Sequence, residues 1–171
     1  MGLERFSAAW RESYVSGAFS GEHDRDESSC VFCRLASEPV GESSGVLWRS
    51  DHTYLILNAF PYGSGHLLSV PYRHVENLDD LSDEEYGDLT GVLRRAVRAL
   101  GAAYHPEGMN VGMNLGSAGG AGIPKHLHAH SLPRWNGDTN FMTTIGETRV
   151  LSESLEATWR KVHPHLGSES Y

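Results

Sequence analysis

One ten-residue stretch does most to limit how this chain can fold: His126-Leu127-His128-Ala129-His130-Ser131-Leu132-Pro133-Arg134-Trp135. Three histidines at two-residue spacing, interleaved with Leu and Ala, have the alternation of a β-strand, whose side chains point to opposite faces in turn. The pattern predicts three imidazoles on one face, about 6.6 Å apart at a rise of roughly 3.3 Å per residue. A row of that pitch suits the groups of an extended phosphate chain. A His-rich metal-binding tract and a strand with one solvated polar face are the other readings of the same residues.

The flanking sequence supplies partners for such a strand. Residues 46–50, 53–58 and 66–71 are short β-rich runs separated by the turn clusters Ser50-Asp51-His52 and Pro61-Tyr62-Gly63-Ser64-Gly65, the pattern of sequential antiparallel strands. Ser82-x-x-Glu85 has the form of a capping box. It opens a helix whose stripe of Leu89, Val92, Leu93, Val97 and Leu100 ends near Gly101. Residues 109–115 alternate as a further strand. Helical spacing is also present at 3–14, with Leu3, Phe6, Trp10 and Tyr14 near one face, and again at 152–162. Residues 16–29 are rich in Gly, Ser and acids without periodicity, so residues 1–29 read as a helix and an acidic connection, and 30–171 as the main domain with its terminal helix.

At 171 residues the chain suits one domain, able to bury about two-thirds of its unfolded surface. A formal charge of -8 argues against a nucleic-acid surface, which needs clustered Lys and Arg. It leaves room for an anionic small molecule held by local N–H groups and imidazoles. No apolar run approaches the ~18 residues of a membrane span, and the N-terminus lacks the order of a signal peptide, so the expected location is cytoplasmic, away from membranes. The two cysteines form one C-x-x-C, Cys30 and Cys33; in a reducing compartment this means metal or redox chemistry, and two thiols alone do not decide which.

Residues 116–122, Gly-Ser-Ala-Gly-Gly-Ala-Gly, enter the histidine strand directly. Such a loop lets the backbone approach an anion and present N–H donors, which makes Gly116, Ser117 and Gly122 candidate phosphate contacts, although neither common phosphate-loop motif is present. A neutral imidazole whose second nitrogen is held by a carbonyl or carboxylate is a competent nucleophile at pH 7. Flanking imidazoles can donate to phosphate oxygens as charge develops. A phosphoramidate on His128 is therefore chemically reasonable.

His126-x-His128-x-His130-x-x resembles the signature of the histidine triad (HIT) superfamily of nucleotide hydrolases and transferases, with Ser131 in place of the usual aliphatic residue. The likeness continues through Leu57-Asn58-x-x-Pro61-Tyr62-x-x-Gly65-His66-Leu67-Leu68-x-Val70-Pro71-x-x-His74. Gly112-x-Asn114-x-Gly116 and Pro133-Arg134-Trp135-x-Gly137-Asp138-x-Asn140-Phe141 are most similar to the bacterial diadenosine tetraphosphate phosphorylase branch, as is the segment from Leu3 to Val15. The resemblance implies an α+β HIT-like fold: an antiparallel sheet of about five strands, one long helix packed on it, N- and C-terminal helices, and a homodimer. It implies His128 as the nucleophile on an α-phosphate, flanked by His126 and His130, with His130 contacting phosphate. Asn58 falls where the family binds ribose, Asn114 where an amide contacts phosphate or ribose, and His66 behind the triad; Trp135 is a further candidate for the substrate site. Structural zinc is implied at Cys30, Cys33, His74 and His126, a Cys2His2 set suited to tetrahedral coordination.

The reaction so implied is nucleotidyl transfer, with phosphorolysis of diadenosine tetraphosphate to ATP and ADP as the leading form and inorganic phosphate as second substrate. Hydrolysis of a dinucleoside polyphosphate or nucleoside phosphoramidate, recruitment to a biosynthetic pathway, and non-catalytic nucleotide binding are the alternatives. Ala121-Gly122-Ile123-Pro124-Lys125 departs from both the Gly-Ser and the Gln-Ser/Thr patterns seen before the triad, which leaves the acceptor less determined than the nucleophile.

Overall fold

The computed structural model describes residues 27–139 and 153–167. The helix expected at 3–14 and the residues Asn140 and Phe141 lie outside them. The described elements are α1 (Val31–Leu35), β1 (Val46–Arg49), β2 (Thr53–Leu57), β3 (Leu67–Pro71), α2 (Asp83–Tyr104), β4 (Gly108–Met113), β5 (Ala129–Arg134) and α3 (Leu155–Val162), with single 3-10 turns at Leu78–Asp80 and His163–His165. The strands form one antiparallel sheet in the order β1-β2-β3-β5-β4. An α+β fold with about five strands and one long packed helix is therefore what the chain adopts.

The long helix starts where the capping box places it. Ser82 Oγ accepts from the Glu85 amide at 3.2 Å and Glu85 Oε2 accepts from the Ser82 amide at 2.8 Å, which satisfies two N-terminal donors reciprocally. The helix runs past Gly101 to Tyr104 and closes on His105 in the left-handed region, φ 46°. The extra turn persists because Tyr104 packs on the core, and that burial outweighs the ~1 kcal/mol cost of an interior glycine. The turn also explains Gly65: at φ +77°, a Cβ there would lie 2.8 Å from Pro133 and 2.9 Å from Tyr104.

The sheet is covered on both faces, which is why β2 and β3 are buried at every position rather than alternating with solvent. Leu55, Leu57 and Leu67 face α2, where Val92, Ala96, Ala99 and Leu100 meet them together with Val162 and Leu166 near the C-terminus. Tyr54, Ile56, Leu68 and Val70 face the other way and pack on Cys30, Phe32 and Leu35 of the α1 segment. Strand parity assigns the histidines to a face. His130 pairs opposite Leu68, so it points toward α1, and Ser131 opposite Leu67 points toward α2. There the Ser131 side chain is buried with its hydroxyl unpaired among the described residues.

The histidine stretch is less regular than its alternation predicts. The ladder of β5 begins at Ala129, so only His130 of the three histidines lies on it. Upstream, the neighbours change. The Leu127 amide bonds to the Val75 carbonyl at 2.7 Å, in the loop after β3, instead of to a strand. The rings nonetheless gather on the α1 side: those of His126 and His128 lie against Phe32, and that of His130 lies against His128.

Candidate active site and metal centre

His128 is 6% exposed and its Nδ1 lies 2.8 Å from the main-chain oxygen of His126. A carbonyl only accepts, so Nδ1 carries the proton and Nε2 keeps its lone pair. No hydrogen bond to His128 Nε2 is present among the described residues. Burial lowers the pKa of His128 against a smaller opposing effect of the His126 carbonyl, so the ring is neutral at pH 7. The described geometry therefore presents a neutral imidazole with one free basic nitrogen.

His130 has the opposite polarity, and the reason is two rings away. The Tyr62 amide donates to His66 Nδ1 at 3.0 Å, which makes that nitrogen an acceptor and places the His66 proton on Nε2. His66 Nε2 lies 2.9 Å from His130 Nδ1 and donates to it. His130 must then carry its proton on Nε2, a buried atom with no partner among the described residues. So the two neighbouring rings, with centroids 5.0 Å apart, offer one lone pair and one N–H. Tyr62 also stacks on His130, centroids 5.9 Å apart at 17°.

Desolvation, followed by the nearby His128, holds the His130 pKa at about 4. In the unfolded chain the ring titrates near its ordinary 6.5, so below that pH the unfolded state takes up a proton that the folded state refuses. This contribution to stability is complete above pH 6.5 and is lost progressively down to about pH 4. Carboxylates such as Glu85, held at about 2, act only below their ordinary 4.5. Denaturant midpoints measured from pH 7 to 4.5 should therefore fall, and fall less in His130→Gln; identical slopes in the two proteins would contradict this origin.

His126 belongs to a different constellation. Its Nε2 donates to the Pro71 carbonyl at 2.9 Å, which leaves Nδ1 as a bare lone pair. That nitrogen is 3.3 Å from Cys30 Sγ and 3.5 Å from Cys33 Sγ, while His74 Nδ1 is 3.3 Å from Cys33 Sγ. The four donor atoms all lie within 4.8 Å of one another. Zinc bonds of about 2.3 Å to sulfur and 2.0–2.1 Å to nitrogen in a tetrahedron require donor separations of roughly 3.5 Å. A ligating imidazole whose other N–H is held by a backbone carbonyl is also the usual outer arrangement. The donor set is thus compatible with a closed tetrahedral zinc site.

The remaining expected residues divide. Asn58 is 9% exposed; its Oδ1 accepts from the Phe60 amide at 2.9 Å and its Nδ2 approaches His66 Nδ1 at 3.3 Å, so it stands beside the His66–His130 pair. Asn114 directly follows Met113, the last residue of β4, which pairs with Ala129. Its amide reaches the Gly120 carbonyl at 3.5 Å and so braces the loop. Gly116 and Gly120 take φ of +66° and +88°, and a Cβ on Gly119 would sit 2.3 Å from the Leu115 oxygen. Ser117 and Gly122 are exposed on the same loop, and no hydrogen bond among the described residues joins it to the three imidazoles. Trp135 is not brought to them: it follows the far end of β5, edge-on to Tyr104 at 6.0 Å.

Two residues at this site escape the sequence reading. Phe32 touches the rings of His126 and His128, and Tyr62 donates the amide that orders the His66 tautomer. Phe32 had a signal, since it lies inside the C-x-x-C; Tyr62 stands in a turn cluster and in the stretch that resembles the family, but nothing there assigned it a role.

A five-stranded antiparallel sheet with His-x-His-x-His feeding an interior strand defines the class of histidine triad proteins. The HIT domain model matches residues 41–137, and the chain belongs to that family. It is 43% identical over 160 residues to a protein of Mycobacterium tuberculosis strain H37Rv named AP-4-A phosphorylase, covering 92% of this chain and 82% of that one. A Zn-bound histidine triad family protein from Mycobacterium smegmatis superposes with a TM-score of 0.66 at 28% identity, over 82% of this chain and 95% of that one. Plasmodium falciparum diadenosine triphosphate hydrolase shares the fold, with a TM-score of 0.57 at 19% identity over 71% of this chain and 74% of that one. Family membership and the first relative support a nucleotide-processing protein.

Proposed function

We propose that the protein is a nucleotidyltransferase that phosphorolyses diadenosine tetraphosphate to ATP and ADP through a covalent nucleotidyl-His128. The observation that carries this reading is the pairing of tautomers: a lone pair on His128 Nε2 beside an N–H on His130, neither with a hydrogen-bond partner among the described residues. In the first half-reaction His128 Nε2 attacks the α-phosphorus, an N–P bond forms, and the bond from that phosphorus to the bridging oxygen breaks, releasing ATP. The His130 N–H donates to a phosphate oxygen as its charge grows. His66 positions that N–H, and the His126 carbonyl steadies the imidazolium that forms on His128. In the second half-reaction an oxygen of inorganic phosphate attacks the α-phosphorus, the N–P bond breaks, ADP leaves and neutral His128 is restored.

Asn58 and Asn114 are assigned to the nucleotide and Gly116, Ser117 and Gly122 to the phosphate tail, since the loop offers backbone donors where a charge of -8 gives no long-range attraction. Cys30, Cys33, His74 and His126 would hold zinc, which closes the α1 segment onto the triad and supplies no group to the reaction. The homodimer implied by the resemblance is part of the same reading.

The 43% relative favours phosphate over water as acceptor. Incubation with diadenosine tetraphosphate, with and without inorganic phosphate, tests the choice by chromatography. ADP formed only when phosphate is present is the expected result, with ATP as co-product. AMP formed equally in both conditions would make the protein a hydrolase, and no turnover would point to nucleotide binding or to a biosynthetic reaction on another nucleotide.

A further inference from the structure

We infer that Phe32 is a positioning residue for His128, and that the metal set built around it decides how firmly the nucleophile is held. Phe32 is the residue between Val31 and Cys33, 5% exposed, with its ring pointing out of α1 into the triad. Its centroid is 5.4 Å from that of His126, edge-on at 75°, and 5.0 Å from that of His128, tilted at 53°. His130 is the second ring against His128, 5.0 Å away at 59°. These two ring contacts form the slot that holds the reactive imidazole.

The slot is needed because one hydrogen bond does not immobilise an imidazole. The bond from Nδ1–H to the His126 carbonyl selects the tautomer, but the ring torsion of histidine is broad, and an unrestrained ring can swing off that bond and exchange tautomers. The two walls restrict the swing, so that Nε2 meets the phosphorus along one line. They are anchored by different parts of the molecule. His130 is held by His66, whose order comes from the Tyr62 amide, with no part in the cysteine cluster. Phe32 is held by its neighbours Cys30 and Cys33 and by the Tyr54 hydroxyl, which donates to its carbonyl at 2.8 Å. The acceptor of the His128 proton also belongs to a ligand residue, His126. One wall and the hydrogen bond therefore depend on the Cys30, Cys33, His74, His126 set, and the other wall does not.

The inference rests on His128 being the reacting group, but its test is independent of that. In the zinc-loaded full chain, nitrogen-15 spectra of the imidazoles should show wild-type His128 as one Nδ1–H tautomer. In Phe32→Ala the His128 resonances should move toward the average of two tautomers while those of His130 stay in place. Turnover should fall roughly 10- to 100-fold in kcat, the scale of a small misplacement of a reacting group, with KM within about threefold. Phe32→Leu, which keeps an apolar side chain against the rings, should recover part of both signals. If Phe32→Ala releases the metal, Phe32→Leu carries the same comparison. A wild-type His128 spectrum in a metal-loaded Phe32 variant overturns the inference. Failure of the functional reading shows separately, as a tautomer shift in a protein that turns over no dinucleotide.

Discussion

Replacing His128 with alanine is expected to lower turnover of diadenosine tetraphosphate by at least about 10⁴-fold, while nucleotide affinity stays within a few-fold. The asymmetry follows from what the ring contributes. In the proposed reaction His128 Nε2 forms the bond to phosphorus, whereas binding is assigned to the loop donors, the two asparagines and the His130 N–H, none of which is held by His128. Truncating a side chain that is 6% exposed also leaves a void beside Phe32, so a second variant separates chemistry from packing. His128→Asn retains a donor able to reach the His126 carbonyl but has no basic nitrogen. It should fold with near wild-type stability and be as inactive as the alanine variant. Single-turnover product analysis and nucleotide titration give the two quantities. Turnover above about one-hundredth of wild type in either variant would remove His128 from the role of nucleophile.

Removal of the proposed zinc is expected to have the second large effect. Chelation, or Cys30→Ser with Cys33→Ser, is expected to lower the melting temperature by about 10 °C or more. The four donors come from three segments: the start of α1, the loop after β3, and the approach to β5. Cys30 and His126 are 96 residues apart in sequence, so the metal would act as a long-range cross-link. Structural zinc in small domains contributes roughly 10–16 kcal/mol of binding free energy, most of which is folding free energy when the site is otherwise unformed. Here Phe32, Leu35, Tyr54 and Ile56 share a buried cluster that also holds the segment, which reduces the expected loss to about 4 kcal/mol, each kcal/mol being worth roughly 2–4 °C at this chain length. Metal content and thermal unfolding should fall together. A metal-free protein that melts at the wild-type temperature would show that the thiols serve packing alone.

Much of the architecture was open to reading from residue order because it rests on local signals. Alternation locates β1 to β4 to within two residues but starts β5 three residues early, and the Ser82–Glu85 reciprocity locates the start of α2. The end of α2 was misjudged because a glycine is a local cue, whereas the extra turn is held by Tyr104 packing on elements distant in sequence. Helix α1 was missed for a similar reason. Five residues carry too little periodicity to register, and what keeps them helical is burial of Phe32 and Leu35 on the sheet.

The site shows the same division. By itself the sequence determined the nucleophile candidate, the possible metal donors and the glycine loop, since spacing and residue chemistry suffice to nominate them. It also determined the facing of the imidazoles, because strand parity is a local property. Only the tertiary structure decided their unlike tasks. Protonation at a given ring nitrogen depends on what meets the opposite nitrogen, and those partners come from elsewhere in the chain: the Tyr62 amide through His66 for His130, and the Pro71 carbonyl for His126. Three chemically identical side chains on one short stretch take unlike tautomers and partners, on which their proposed roles rest, through contacts that residue order alone does not specify.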